Sequence, residues 1–203
     1  WFGSALKVEG VEEFLTQLDR YTRPTKYGEE FGAKVFKISR DSQNTRLTWM
    51  KITGGSLRAK TLLSGGTEEA RWEEKADQLR LYSGQKFKPL DQAEAGMVVA
   101  VTGLTRTYPG QGLGREAESE QPMLEPVLTY QLILPDGVDP HTTLPKLNQL
   151  EEEDPMLRIL WDGRWKEIRV QLMGEVQMEI LQRLIADRFG LCGRFDEGSS
   201  VYL

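Results

Sequence analysis

The chain has 203 residues, of which 39% are hydrophobic and 28% charged, with a net charge of −5. That balance suits one large globular domain or two small ones and excludes wholesale disorder. A single cysteine, Cys192, excludes an intrachain disulfide and a cysteine-rich zinc site and argues against secretion. The apolar runs are far shorter than the roughly 18 residues of a membrane helix, so no membrane partner is expected. Charge is unevenly placed: residues 28–107 hold 13 Lys/Arg against 10 Asp/Glu, whereas residues 116–203 hold 8 against 17. The first part could sit on a polyanion; the second as a whole could not, unless its basic residues cluster. The chain opens on Trp1, without an initiator Met or signal-like segment, and closes on Ser200-Val201-Tyr202-Leu203, which reads as an unfinished strand. The expectation is a piece of a longer, cytoplasmic protein.

In chain order, a short apolar stretch ends in Ser4-Ala5-Leu6. Val11 to Tyr21 follows at helical spacing, with Val11, Phe14, Leu15 and Leu18 on one face, and Pro24 ends it. From Tyr27 to Leu113 the rhythm changes to short β-branched and aromatic runs between glycine, Asp and Asn turns. Candidate strands are Phe31–Ile38, Arg46–Thr53, Leu57–Leu63, Gln78–Ser83 and Met97–Gly103. Leu47 and Trp49 share one parity, Met50 and Ile52 the other, which asks for a bulge or a strand buried on both faces. Many short strands without a long helix argue a small closed barrel. Gly54 to Thr61 is one residue short of a phosphate-binding loop, with Ala59 where glycine is needed; Thr61-Leu62-Leu63 reads as a strand and not as the required helix start, so a barrel hairpin is expected. Tyr108 to Gln121, rich in Gly and Glu, reads as a linker.

Glu125 to Phe195 has a βαββαβ order. Val127–Leu134 is a strand with Leu128, Tyr130, Leu132 and Leu134 on one face. A helix carrying Leu144, Leu147 and Leu150 follows, its N-cap placed at Thr142 or Thr143 so that Pro145 falls in the first turn, and Asp154-Pro155 stops it. Asp162-Gly163 signals a type I′ hairpin. In the next strand Ile168, Val170 and Leu172 face a core while Glu167, Arg169 and Gln171 face outward. Gly174 turns into a helix from Glu175, and a strand near Leu191–Phe195 completes a ferredoxin-like sandwich.

Little here carries catalysis. Glu151-Glu152-Glu153-Asp154 could gather a metal, but consecutive acids on a helix diverge, and a solvated helix end is expected, although acids there oppose the helix dipole. His141, the one histidine, has no triad spacing around it and is expected on the surface. No catalytic or metal-binding residue is therefore assigned. Gln177 departs from the apolar arc of its helix and is either a first-turn polar residue or a partner contact. Lys34, Lys37, Arg46, Lys51, Arg58 and Lys60 make the barrel its basic set, suited to sequence-independent phosphate contacts, or to plain solvation. The strand Lys166–Gln171 offers no stacking aromatics for an RNA-binding sheet.

Five strings carry a family likeness. Leu172-Met173-Gly174-Glu175-Val176-Gln177-Met178-Glu179-Ile180 resembles the strand–Gly-Glu–helix joint in the third domain of elongation factor G and its relatives, in a form similar to the tetracycline-resistance ribosomal protection branch. Arg46 through Leu57, with its Gly54-Gly55 turn, resembles the second domain of elongation factors, as do Ala33–Ile38 and Ala95–Leu104. Ser4-Ala5-Leu6 is similar to the guanine-base loop at the end of the nucleotide domain in translational GTPases. The resemblance implies a remnant of a GTPase domain at 1–27, a β-barrel at 28–113, a linker at 114–124 and a ferredoxin-like domain at 125–203. It also implies a parent that binds GTP and Mg, docks on the ribosome and releases the drug from the small subunit. Its second domain would lie on small-subunit RNA, with Arg46, Lys51, Arg58 and Lys60 as docking candidates. Its third domain would lie on a small-subunit protein and on the GTPase domain of the same parent, with Gln177 as a contact candidate. No phosphate-binding loop or Asn-Lys-x-Asp string occurs here, so no cofactor and no GTP hydrolysis are expected of this chain itself. Two other readings stay open: an elongation factor G paralogue acting in translocation, and a free-standing interaction module.

Overall fold

A computed structural model describes residues 2–23, 25–66, 70–119, 126 and 128–197. Ser4 and Glu9 exchange backbone hydrogen bonds of 3.0 and 3.2 Å, closing a short turn before α1 (Val11–Tyr21). The apolar stripe of α1 is where the periodicity puts it, yet no residue of α1 is buried, and Phe14, Leu15 and Leu18 are about half exposed. Trp1, Pro24 and the terminal Ser200–Leu203 string fall outside the described residues.

Among the described residues ten strands follow before the second unit: β1 (Gly32–Arg40), β2 (Arg46–Gly54), β3 (Ser56–Arg58), β4 (Leu62–Gly65), β5 (Trp72–Lys75), β6 (Leu79–Ser83), β7 (Lys86–Leu90), β8 (Gln92–Glu94), β9 (Val98–Val101) and β10 (Gly112–Gly114). Six of them form one antiparallel sheet in the order β10-β1-β2-β9-β6-β7, and the ribbons β3-β8 and β4-β5 complete the wall. A shared core joins all three sheets: Val35, Ile38, Met50, Ile52, Leu57, Leu63, Trp72, Leu79, Val99 and Leu113 are each 6% exposed or less. Burial against that one core makes this a barrel. The expected strand Leu57–Leu63 is broken in two, because Lys60 turns the chain at φ 70°.

β2 itself alternates without a break, and its apolar residues of both parities reflect burial on its two faces. Its partner β1 carries a bulge: Val35 pairs with Met50 and Lys37 with Trp49, leaving Phe36 as the extra residue. Phe36 and Lys37 therefore both face outward between inward Val35 and Ile38. On β2, Thr48, Met50 and Ile52 face the core, while Leu47 is buried on the opposite, outer face.

The segment expected to be a linker from 114 onward stays tied to the barrel through Ser119. Arg115 donates to the Thr53 carbonyl at 2.9 Å, Glu116 accepts from the Thr53 hydroxyl at 2.7 Å, and the Ser119 amide donates to Gly110 at 2.8 Å.

The second unit holds β11 (Leu128–Ile133), α2 (Pro140–Glu153), β12 (Arg158–Asp162), β13 (Glu167–Leu172), α3 (Glu175–Phe189) and β14 (Arg194–Glu197). Its sheet runs β12-β13-β11-β14, wholly antiparallel, as the ferredoxin-like order requires. Ile168, Val170 and Leu172 meet Leu147 and Leu150 of α2 and Leu181 and Ile185 of α3 in its core. Two local expectations are corrected. The N-cap of α2 is Asp139, whose carboxylate accepts from the His141 amide at 2.9 Å; Pro140 is the first-turn proline, and Pro145 lies inside the helix. The β12–β13 connection is not a two-residue turn: Asp162 Oδ1 accepts the Arg164 and Trp165 amides, and Lys166 takes the left-handed conformation at φ 54°.

Candidate RNA-docking surface

The four basic candidates separate into three environments. Arg46 is removed from the outer surface. Its guanidinium donates to the Leu104 carbonyl (2.8 Å), the Thr107 hydroxyl (2.9 Å), the Thr107 carbonyl (2.6 Å) and the Thr48 hydroxyl (3.2 Å), and its Nε to Glu152 (3.0 Å). Only 11% of the side chain is exposed. All three guanidinium nitrogens are engaged inside the fold, so Arg46 is an internal clamp and leaves the docking set.

Lys51 stands on the outer face of the six-stranded sheet and is exposed. Its register partner on β1 is Lys34, so two lysines stand directly opposite each other across the strands. Directly opposed like charges destabilise a sheet; an anion laid over them would reverse that cost. Lys34 also donates to Ser119 at 3.3 Å. Neither Lys51 nor Lys37 forms an ion pair with another described residue.

Arg58 and Lys60 belong to β3 and the turn after it. Arg58 is exposed and donates to Gln92 at 2.7 Å; Lys60 meets Asp77 at 3.2 Å with both side chains half exposed or more. Such pairs are worth under about 1 kcal/mol and open readily to a phosphate. The turn that precedes them needs glycine: Gly55 has φ 55°, and a Cβ there would lie 2.6 Å from the Glu29 carbonyl oxygen. The stretch Gly54 to Thr61 is strand, turn and coil, with β4 after it and no helix.

The acids at the end of α2 are not a solvated cluster. Glu152 meets Arg46 at 3.0 Å and Arg40 at 3.5 Å, and Glu153 takes Arg188 at 2.7 Å. Two of the barrel's arginines thus hold the C-terminal end of α2, which explains acids placed against the helix dipole. Burial raises the Glu151 carboxyl above its ordinary value, against the Ile159 backbone and the nearby Arg158, which lower it. Among the described residues no group of three His, Cys, Asp or Glu could hold a metal ion.

Gln177 is held within its own domain. Its Oε1 accepts the Met173 amide at 2.8 Å and its Nε2 donates to Asp154 at 2.8 Å, tying the start of α3 to the end of α2. His141 is exposed and rests on Trp161, 5.1 Å between ring centres. In the first turn Ser4 Oγ accepts from the Lys7 amide at 3.3 Å and the Ala5 carbonyl from the Val8 amide at 3.4 Å; Leu6 is exposed.

Sequence reasoning passed over Arg80 and Asp41. Arg80, 9% exposed, donates to Asp41 Oδ2 at 2.9 Å and to Gln78 Oε1 at 3.1 and 3.0 Å, and lies over the Phe87 ring at 4.3 Å. Burial would raise the Asp41 carboxyl, but the Thr45 amide, the Arg80 guanidinium and the Gln43 amide together hold it below the usual carboxylate range. Glu74 is lowered likewise: the Thr105 hydroxyl and the Thr105 and Arg106 amides outweigh its burial. Tyr108 is pushed up to about 12 by burial and by its hydrogen bond to Glu118.

Residues 30–113 match the family described as elongation factor G domain 2. Elongation factor G 2 of Syntrophus aciditrophicus (strain SB) is 27% identical over 217 residues, covering 93% of this chain and 30% of the relative. Tetracycline resistance protein TetP of Clostridium perfringens is 26% identical over 204 residues, covering 98% and 31%. The mitochondrial ribosome-releasing factor 2 of Drosophila erecta is 25% identical, covering 92% and 28%. A solved structure from Thermus thermophilus superposes with a TM-score of 0.69 at 21% identity, covering 92% of this chain and 29% of that one, and shares the fold. The chain thus spans about 30% of the length of these relatives. No helix among the described residues is long and apolar enough to cross a membrane.

Proposed function

We propose that this chain, which belongs to the elongation factor G-like family and carries that family's second domain at residues 30–113, is the ribosome-docking and inter-domain relay part of a cytoplasmic translational GTPase. The relatives are named as elongation factors, a tetracycline resistance protein and a ribosome-releasing factor; the docking role is what a translocation factor and a ribosomal protection protein would share. The observation that carries it is the Lys34–Lys51 pair: two cations in register on an outer sheet face, in the basic half of an acidic chain. Small-subunit RNA supplies the polyanion. Arg58 and Lys60 add exposed cations beyond the Gly54-Gly55 turn.

The relay runs through the contacts of Arg40 and Arg46 with Glu152 and Glu153, which join the barrel to α2. The half-exposed stripe of α1 would pack on the nucleotide domain of the parent, and the Ser4–Leu6 turn would face the guanine there. GTP and Mg belong to that domain: the residues present here supply neither a phosphate loop nor a metal cluster among those described. The ferredoxin-like unit, with its acidic surplus, faces protein and not RNA. The test is co-sedimentation with isolated small ribosomal subunits across a salt series. Binding that weakens steeply with salt is expected; measurable binding indifferent to salt would make the chain a protein-interaction module instead.

A further inference from the structure

The outer face that presents Lys51 continues into a cleft of about 660 Å³, within the size range of small-molecule sites. Three aromatic rings form a ladder along it. Trp49 and Tyr82 lie 5.0 Å apart between centres, and Tyr82 and Phe87 5.3 Å. They are fixed from below. The Trp49 indole N–H donates to Ser39 at 2.8 Å, and Arg80, itself held by Asp41 and Gln78, covers one side of Phe87. Phe87 nonetheless remains 45% exposed. The β1 bulge at Phe36 turns Lys37 outward beside Trp49, so an exposed ammonium stands at the edge of the ladder. Ser42, Gln43 and Gln85 line the opening.

We propose that this cleft takes an unpaired nucleotide of single-stranded RNA. Its base would stack on the exposed part of the Tyr82–Phe87 ladder and its phosphate would lie on Lys37 and Lys51. Each part of the site answers one need of such a ligand. Flat rings accept any base face, an adjacent cation takes the phosphate, and amide side chains at the rim reach base edges. A duplex cannot use the rings, because its bases are stacked on one another. An acidic peptide would use the lysines but leave three prepositioned rings without purpose. The inference rests on the docking reading only in taking the strand to be ribosomal; the chemistry of the cleft stands apart from it.

The experiment titrates a fluorescently labelled single-stranded oligouridylate or oligoadenylate of about eight nucleotides, and a duplex of the same length, against the purified chain at low salt. Single strands are expected to bind more tightly than the duplex. Phe87→Ala and Tyr82→Ala should each weaken single-strand binding about five-fold or more, and Lys37→Ala should flatten its salt dependence. Tyr82→Phe, which keeps the ring, should restore binding and so separates stacking from folding damage. Small-subunit co-sedimentation of the same variants is read in parallel. Equal binding of single strand and duplex, or single-strand binding unchanged by Phe87→Ala and Tyr82→Ala, overturns the nucleotide assignment while leaving the salt-dependent docking intact. Loss of co-sedimentation with oligonucleotide binding unchanged overturns it too, and assigns the cleft to a ribosomal protein.

Discussion

Arg46→Ala separates an internal clamp from a docking cation. The substitution removes the donors to the Leu104 and Thr107 carbonyls, and both residues are 3% exposed or less. Leaving a buried acceptor without a partner costs about 1–3 kcal/mol. The Thr48 and Thr107 hydroxyls lose less, because they retain each other at 2.7 Å. The Glu152 contact adds under about 1 kcal/mol, since that carboxylate is 42% exposed. The whole comes to roughly 3 kcal/mol. With a urea m-value of about 2–3 kcal/mol/M, the unfolding midpoint should fall by about 1 M or more. Arg46→Lys should not rescue it, because one ammonium cannot reproduce a fork that reaches Thr48 on β2, the loop after β9 and α2. Urea titration followed by tryptophan fluorescence reads the effect, with Lys51→Ala expected within about 0.5 kcal/mol of the unmodified chain. Should Arg46→Ala unfold like Lys51→Ala while its ribosome binding drops, the internal assignment is wrong and Arg46 returns to the docking surface.

Gln177→Ala should cost about 1–2 kcal/mol, because the Met173 amide loses its acceptor where α3 begins; faster amide exchange confined to the start of α3 checks it. Asp41 has a folded-state pKa below its unfolded one, so its stabilisation is present above the ordinary carboxylate range and lost as pH falls through the lowered value. Urea midpoints should therefore drop between about pH 5 and about pH 3, and Asp41→Asn should make that drop shallower; equal slopes would contradict it. Glu152→Ala combined with Glu153→Ala should loosen the barrel from α2, seen as two resolved unfolding transitions where the unmodified chain shows closer coupling. Calorimetry with GTP or GDP should show no saturable binding to this chain; micromolar affinity would mean that Gly54 to Thr61 does hold phosphate.

The βαββαβ unit was legible because each element writes its own period: Ile168, Val170 and Leu172 alternate, and Leu144, Leu147 and Leu150 recur at helical spacing. The barrel was legible as a class but not strand by strand. β7 is exposed along nearly its whole length and contains Pro89, and β10 is Gly-Leu-Gly, so neither shows alternation. The parity of β2 asked for a bulge or burial on both faces; β2 is buried on both, and a bulge sits instead on β1 at Phe36, where only pairing reveals it. Pro145 misdirected the cap of α2: Asp139-Pro140 is a complete helix start by itself, and a proline deeper in a helix loses one backbone bond that long-range packing can offset. Arg46 shares the parity of inward Thr48, Met50 and Ile52 and Lys51 has the other, but apolar residues on both parities hid which face is the core. What buries Arg46 is the arrival of Leu104 and Thr107, far along the chain. The Trp49–Tyr82–Phe87 ladder escaped notice for the same reason, since its rings come from three strands.

The central claim is that the barrel docks through its outer cations on a phosphate backbone. The most direct measurement is the slope of log affinity against log salt for small-subunit binding, compared across single substitutions. Lys51→Ala, Arg58→Ala and Lys60→Ala should each lower the slope by about one unit, with folding stability almost unchanged. Arg183→Ala, at an 86% exposed position on α3, should leave it where it was. A slope that the three barrel substitutions do not move, or that Arg183→Ala lowers as much as they do, would contradict the assignment.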